Sequence, residues 1–414
     1  MATTLFTNIR LLVNTRSESN LLYGKALADL PCVENAWLLV EDDRIAGYGS
    51  MDNLPASYSG VRELVDAKGC LVLPAWCDSH THIVFAGSRE SEFVDKIRGL
   101  SYAEIAARGG GILNSAGKLR EASEDELFNQ AWKRLEEISK QGTGAVEIKS
   151  GYGLTVDSEL KMLRVIKKLR EKSPLSIKAT FLGAHTYPPE FKENHQGYID
   201  QIINEMLPVI GKEKLADYID VFCETGFFSP EETARICRAG MEYGLKPKIH
   251  ANQLNLSGGT QVGVELGAIS VDHLETMDEA AISTLANSST IGTLLPTAAF
   301  FLRMGFQPAR KLIDAGCAIA LASDFNPGSS PSGNMNLVVA MSCIQMRMLP
   351  EEAINAATLN GAFAMELAQD LGSITIGKKA NLLLTRAVPS LAYLPYAFGS
   401  PLIDRVMIGG NWIS

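Results

Sequence analysis

Eight short apolar runs, ending at His82, Lys149, His185, Glu224, His250, His273, Leu295 and Asp324, alternate with helix-like segments through the middle of the chain. That alternation constrains the fold more than any other feature. A short apolar run bounded by turn signals is consistent with a strand buried on both faces. Parallel strands joined by helices are covered in that way. The helical segments carry their own boundaries. Ser123-Glu124-Asp125-Glu126 is a capping box, followed by Leu127, Phe128, Ala131, Trp132, Leu135 and Ile138 on one face and then by Gly142. Ser229-Pro230-Glu231-Glu232 supplies a cap, a proline at the first helical position and an acidic first turn, and Gly244 closes that helix. Gln307-Pro308 opens a helix that ends at Gly316. The pattern predicts an α/β fold, a (β/α)8 TIM-like barrel, in which residues that do chemistry sit at the C-terminal ends of the strands.

Both chain ends read differently. Strands are predicted at 5–13, 36–40 and 44–48, and again at 373–376, 381–385 and 405–408 before a Gly409-Gly410 turn. Neither end has enough apolar surface for a core of its own. The expectation is therefore one small β-sandwich built from residues 1–74 and 371–414, flanking a barrel over 75–370.

Charge and composition exclude several classes. A net charge of −9 on 414 residues, with no basic stripe, argues against nucleic acid as a partner. Arg10 interrupts the apolar start, so no signal peptide is read. No run approaches the roughly 18 apolar residues of a membrane span. The seven cysteines form no C-x-x-C pair and read as reduced thiols of a cytoplasmic protein.

Five of the six histidines, His80, His82, His185, His250 and His273, fall at predicted strand ends; His195 does not. In a barrel those ends converge on one mouth. In Asp78-Ser79-His80-Thr81-His82 the two imidazoles stand at i and i+2 of a strand and face the same side. With His250 and Asp324 at later strand ends they form a set of three imidazoles and one carboxylate. Such a set suits zinc or iron and leaves a position for water, whose pKa the metal can lower to about 7. No G-x-S-x-G elbow, G-x-G-x-x-G turn or P-loop competes with this reading.

Several segments then carry a resemblance: HTHIVFAGSRESEF from His80, SYAEIAARGGGI from Ser101, EIKSGYGL from Glu147, FLGAHTYPPE from Phe181, CETGFF from Cys223, SVDHL from Ser270 and ASDFNPGSSP from Ala322. Through nearly its whole length the chain resembles the amidohydrolase superfamily, and within it the ring-opening hydrolases of histidine breakdown. The resemblance implies hydrolysis of the small molecule 4-imidazolone-5-propanoate to N-formimidoyl-L-glutamate by a cytoplasmic homodimer with one zinc or iron ion per chain. It implies that His80, His82, His250 and Asp324 hold the metal. Arg89, Tyr102, Tyr152 and His185 then contact substrate, and His273 lies beside the reacting group. Asn326, Gly328 and Ser329 contact the propanoate or the glutamate-like product.

These implied roles have physical sense. The guanidinium of Arg89 matches a carboxylate with a planar fork of donors; its bland alternative is a surface pair with Glu90 or Glu92. Tyr152, between two glycines, reads as an exposed donor. Asp324 can take the proton of water and deliver it to the leaving nitrogen, and His273 can stabilise an oxyanion or assist that transfer. Lys149 and Glu224 also lie at predicted strand ends and could suggest a second metal; because the family resembled uses one metal, each reads as a structural residue or a support behind the ligands. One position departs from the family's commoner pattern: three residues after His250, where many members carry an acid, this chain has Gln253, which hydrogen-bonds but cannot take a proton. A deaminase or cyclic amidase on a related heterocycle, and a catalytically inactive scaffold, remain the alternatives.

Overall fold

The computed structural model describes residues 3–55, 60–100, 104 and 110–414. Strands β1 (Thr3–Val13), β2 (Cys32–Glu41), β3 (Arg44–Ser50), β4 (Glu63–Asp66) and β5 (Leu71–Pro74) come first. Eight strands follow: β6 (Trp76–Thr81), β7 (Thr143–Lys149), β8 (Ser176–Ala184), β9 (Tyr218–Cys223), β10 (Lys246–Ala251), β11 (Ser270–His273), β12 (Ile291–Leu294) and β13 (Ile319–Leu321). The chain ends on β14 (Leu382–Thr385), β15 (Ile403–Ile408) and β16 (Asn411–Trp412).

β6 to β13 lie side by side in chain order, each parallel to the next. The barrel closes just beyond the last strand. Thr81 and Phe325 form a parallel bridge. The His82 N–H donates to the Phe325 carbonyl at 2.9 Å, and the Asp324 N–H to the His80 carbonyl at 3.0 Å. Buried Asp78 fastens the same seam by accepting from the Ser323 N–H at 2.9 Å and Oγ at 2.5 Å. Closure thus sets the two histidines of β6 against Asp324, residues far apart in sequence.

The helices form where their signals stand. Capping boxes at Ser123 and Ser229 start the helices Glu124–Lys140 and Pro230–Glu242. The first packs Leu127, Ala131, Leu135 and Ile138 onto the barrel, the two leucines and the isoleucine each worth about 1.5–3 kcal/mol when fully buried. Phe128 and Trp132 only half join that face; they stack on each other at 5.7 Å, with Lys168 over Phe128.

The strands of both chain ends join in one sheet, ordered β16-β15-β14-β5-β1-β2-β3 with β4 beside β1. Phe6, Leu38 and Ile45 from one side of that order share a core with Leu382 and Met407 from the other. The sheet therefore curls around its own interior, and its two halves face each other without separating into two hydrogen-bonded sheets. Residues 373–376 were expected as a strand, and only Ile374 pairs, in an isolated bridge to Thr15. Gly372 and Gly377 adopt φ of +86° and +89°, and the segment turns about Lys378, whose ammonium donates to the Leu371 carbonyl and Ser373 Oγ at 2.7 and 2.8 Å. All seven cysteines are free. Burial pushes the Cys77 thiol up to about 12 and that of Cys223 up to about 11, which makes both poor nucleophiles. No helix among the described residues is long and apolar enough to cross a membrane.

Candidate metal centre and active site

The two imidazoles at the end of β6 face a common centre with His250 from β10. Ring centroids are 5.4 Å apart for His80–His82, 4.5 Å for His80–His250 and 5.6 Å for His82–His250. His80 Nδ1 lies 2.7 Å from Asp272 Oδ2, and His250 Nδ1 lies 2.9 Å from Asp220 Oδ2. A carboxylate at Nδ1 holds the ring proton there and leaves Nε2 as a lone pair for the centre. His80 Nε2 and His82 Nδ1 are buried with no hydrogen-bond partner, and His80 Nε2 and His82 Nε2 stand 3.5 and 3.6 Å from Asp324 Oδ1. Donor atoms of His80, His82 and His250 lie within 4.8 Å of one another, as do those of His80, His273 and Asp324. Burial holds the three imidazoles of His80, His82 and His250 well below their usual pKa, in the neutral form that ligates. Burial also pushes the Asp324 carboxyl up to about 6, a shift that a bound cation would oppose. Buried lone pairs are costly when unpaired. The convergence of His80 Nε2 and His82 Nε2 on the Asp324 carboxylate fits a divalent zinc- or iron-type ion.

His273, at the end of β11, packs its ring 5.1 Å from His250 and 5.5 Å from His80. Burial opposes its positive charge, but Glu275, with Oε1 3.5 Å from Nδ1, raises its pKa on balance. Glu275 also accepts from Gln307 Nε2 at 2.9 Å. The sequence reading missed this acid. Its signal was available, since it stands two residues beyond a strand-end histidine.

The backbone is unusual at the same rim. Leu154, Asn252, His273, Leu274 and Asp324, all at or just after barrel strand ends, adopt φ between +53° and +90°. Non-glycine residues in that region cost on the order of 1–3 kcal/mol each and cluster where function requires them.

Tyr152 sits in the loop after β7. Fully buried Glu159 accepts from the N–H groups of Gly151, Gly153 and Leu154 at 3.1, 2.6 and 3.0 Å and so shapes that loop. Gly153 packs directly on Glu159, with no room for a Cβ. Tyr152 is 3% exposed, where an exposed donor was expected; its ring meets His82 and His185 edge-on at 5.9 and 5.6 Å. His185 stacks on His82 at 5.4 Å, and its Nδ1 lies 3.0 Å from the Gly151 carbonyl. Burial pushes its pKa down to about 4. A neutral ring donating from Nδ1 keeps Nε2 as an acceptor.

Arg89 reaches the mouth from the start of the helix Glu90–Ile97. Its side chain is 11% exposed, and Nε and Nη2 donate to Glu92 Oε2 at 2.8 and 2.6 Å. The pairing with Glu92 thus exists, but in a largely buried place, and Nη1 lies against Gly328, where a Cβ would collide with it. The loop after β13 is organised by Asn326. Its Oδ1 accepts from the N–H groups of Gly328 and Ser329, both at 2.8 Å, and its Nδ2 donates to the Asp324 carbonyl and Ser329 Oγ, both at 2.6 Å. That exhausts the four hydrogen bonds of the amide. Ser329 Oγ also donates to Asp324 Oδ2 at 2.9 Å.

Gln253 is 8% exposed, and its side chain has no hydrogen bond among the described residues; its carbonyl lies 3.5 Å from Thr276 Oγ1. Tyr102 lies outside the described residues. His195 stacks on Tyr187 at 3.6 Å on the helix His195–Gln201, apart from the cluster. Glu224 fastens the loop after β10, accepting from the Leu254 N–H at 2.8 Å and Asn255 Nδ2 at 3.1 Å.

Comparison with known proteins identifies the family. Residues 71–413 match the amidohydrolase family. Imidazolonepropionase of Flavobacterium johnsoniae is 59% identical over 99% of this chain and 100% of its own, and that of Christiangramia forsetii is 56% identical over the same shares. The Parabacteroides distasonis enzyme of that name is 42% identical over 94% of this chain and 93% of its own. Two solved structures share the fold. One is 5-methylcytosine deaminase from Klebsiella pneumoniae liganded with 5-fluorocytosine (TM-score 0.72, 15% identity, 98% and 97% covered). The other is an adenosine deaminase from Xanthomonas campestris with bound zinc (TM-score 0.70, 15% identity, 99% and 92% covered).

Proposed function

The chain belongs to the amidohydrolase family and within it to the imidazolonepropionases, and from that premise we propose how its residues open the ring of 4-imidazolone-5-propanoate to give N-formimidoyl-L-glutamate. The observation that carries the scheme is the convergence of His80 Nε2, which has no hydrogen-bond partner, and His82 Nε2 on Asp324, with Arg89 at the mouth. His80, His82, His250 and Asp324 hold one zinc or iron ion. When bound, that ion acts as a Lewis acid and lowers the pKa of water.

The protein's own groups do the rest. Water adds to the ring carbonyl carbon, the adjoining ring C–N bond breaks, and the proton of water passes to the departing nitrogen. Asp324 carries that proton, and His273, held by Glu275, faces the developing oxyanion. Arg89 binds the propanoate through its outward Nη1. His185 accepts from a ring N–H, and Tyr152 borders the ring. Asn326 acts by shaping the loop that places Gly328 and Ser329 beside Arg89 and Asp324. The enzyme works in the cytoplasm as a homodimer in histidine breakdown.

Fresh 4-imidazolone-5-propanoate should lose its ultraviolet absorbance on mixing with the protein and yield formimidoylglutamate. Elemental analysis should find about one zinc or iron per chain. Chelation should abolish turnover and lower the Tm, since an ion at 1,000 times its Kd contributes about 4 kcal/mol. A second stoichiometric metal needed for turnover would refute the mononuclear scheme. Ammonia in place of formimidoylglutamate would mark a deaminase.

Gln253 positions the ring through its amide. Gln253→Ala should therefore lose on the order of 1–3 kcal/mol of transition-state stabilisation, the cost of leaving buried polar partners unsatisfied. Gln253→Glu should keep substantial activity and add an acidic limb to the pH–rate profile as the new carboxylate protonates. Should Gln253→Ala keep its metal yet fall as far as Asp324→Asn, ring positioning is too small a role for it.

A further inference from the structure

Beneath the candidate ligands the barrel interior is charged, where such barrels are ordinarily filled by branched apolar side chains. Glu147 and Lys149 on β7, Asp220 on β9, Lys248 on β10 and Asp272 on β11 are all buried, none more than 1% exposed. Three acids and two lysines leave the layer one negative charge, directly below a site suited to a dication. Lys248 Nζ pairs with Glu147 Oε2 and donates to the carbonyls of Ser79 and Ala364, both at 3.2 Å.

Lys149 is placed differently. Its Nζ donates to Glu147 Oε1 at 2.7 Å and Asp220 Oδ2 at 2.8 Å, and lies 3.5 Å from Asp272 Oδ2. The two aspartate oxygens it faces are the same two that face the metal-site histidines, Asp220 Oδ2 at His250 Nδ1 and Asp272 Oδ2 at His80 Nδ1. The other oxygen of each aspartate is also engaged. Asp220 Oδ1 accepts from the His250 N–H at 3.0 Å, and Asp272 Oδ1 from Ser270 Oγ at 2.5 Å. An ammonium has three protons, and three carboxylates surround this one.

We propose that Lys149 is a positioning residue that couples two metal-binding imidazoles, one ammonium pinning Asp220 Oδ2 and Asp272 Oδ2 and thereby orienting His250 and His80 as a pair. The inference rests on the metal-site reading above. Carboxylates behind ligand histidines tune metal affinity by about 10- to 100-fold each. A single cation between two of them makes the two supports interdependent. A buried ion network that merely filled the barrel would affect Tm alone.

The test is Co²⁺ binding to metal-stripped full-length protein, read by chelator competition and by the visible absorption of the bound ion. Lys149→Met should weaken Co²⁺ binding about 10- to 100-fold and shift the absorption bands. Asp220→Asn and Asp272→Asn should do likewise, and each paired with Lys149→Met should lose less than the product of the single losses. Lys149→Met removes one buried cation and risks misfolding. The double variant Glu147→Gln/Lys149→Met removes one charge of each sign and keeps the net charge of the layer, so it decides the matter if the single variant does not fold. If that folded double variant holds Co²⁺ with wild-type affinity and spectrum, the proposal is overturned. Wild-type protein that takes up no Co²⁺ overturns the metal-site reading itself, and the clamp with it.

Discussion

Asp324→Asn is expected to cut turnover by about 10²–10⁴-fold, the usual contribution of a positioned proton carrier, which corresponds to roughly 3–5 kcal/mol. The side chain is 2% exposed, with Oδ1 3.5 and 3.6 Å from the Nε2 atoms of His80 and His82. Asparagine keeps the shape but removes the charge that faces these nitrogens, and it cannot carry a proton. Its amide can still accept from Ser329, so the loop should hold and the Tm should change little. Ser329→Ala is the matched control: it removes the 2.9 Å hydrogen bond to Asp324 Oδ2 and the acceptor that Asn326 Nδ2 uses at 2.6 Å without touching the carboxylate, and should cost about 1–3 kcal/mol. Both kinetics and metal content need measuring, because lost metal alone would also lower the rate. A metal-loaded Asp324→Asn protein with more than a tenth of wild-type kcat would remove Asp324 from the proton-transfer scheme.

Arg89→Ala should cost about 2–5 kcal/mol in kcat/KM, the range for truncating one partner of a buried charge pair. Arg89→Lys should recover only part, since a single ammonium cannot hold Glu92 through two nitrogens and still offer a third to the propanoate. The structure adds a competing explanation, because two guanidinium nitrogens already bind Glu92. If Arg89 served only that pair, Glu92→Gln would reproduce the kinetics and stability of Arg89→Ala. If Nη1 binds substrate, Arg89→Ala should raise KM far more than Glu92→Gln. Gly328→Ala should also raise KM, because its methyl occupies the space of Nη1 while the rest of the guanidinium stays tied to Glu92. Kinetics indistinguishable from wild type for Arg89→Ala would return it to a structural ion pair.

The local signals and the convergence of the strand-end side chains were readable from the chain itself. Each barrel strand is announced by a short apolar run, and both capping boxes predict helix starts that the structure contains. The period-2 rule makes the two imidazoles of His80-Thr81-His82 face one side. Strand-end placement then brings His250 and Asp324 to the same mouth without any knowledge of packing. These are properties of neighbours in sequence, or of a symmetry that every such barrel shares.

What the sequence could not supply is which side chains touch across the barrel. Glu147 and Lys149, two residues apart in a buried strand, were the visible trace of the ionic layer. That Lys149 meets Asp220 and Asp272 depends on the stagger between β7, β9 and β11, which closure of the whole barrel sets. Burial of Tyr152 likewise follows from the grip that Glu159, in the helix Val156–Lys172, has on the loop before that helix. The internal use of the Asn326 amide reflects the path of one loop, and 373–376 pairs only through Ile374 while Lys378 ties the segment to Leu371 and Ser373. Propensity and pattern act within a few residues. Register, closure and the partners of buried charges are non-local, and only the assembled fold decides them.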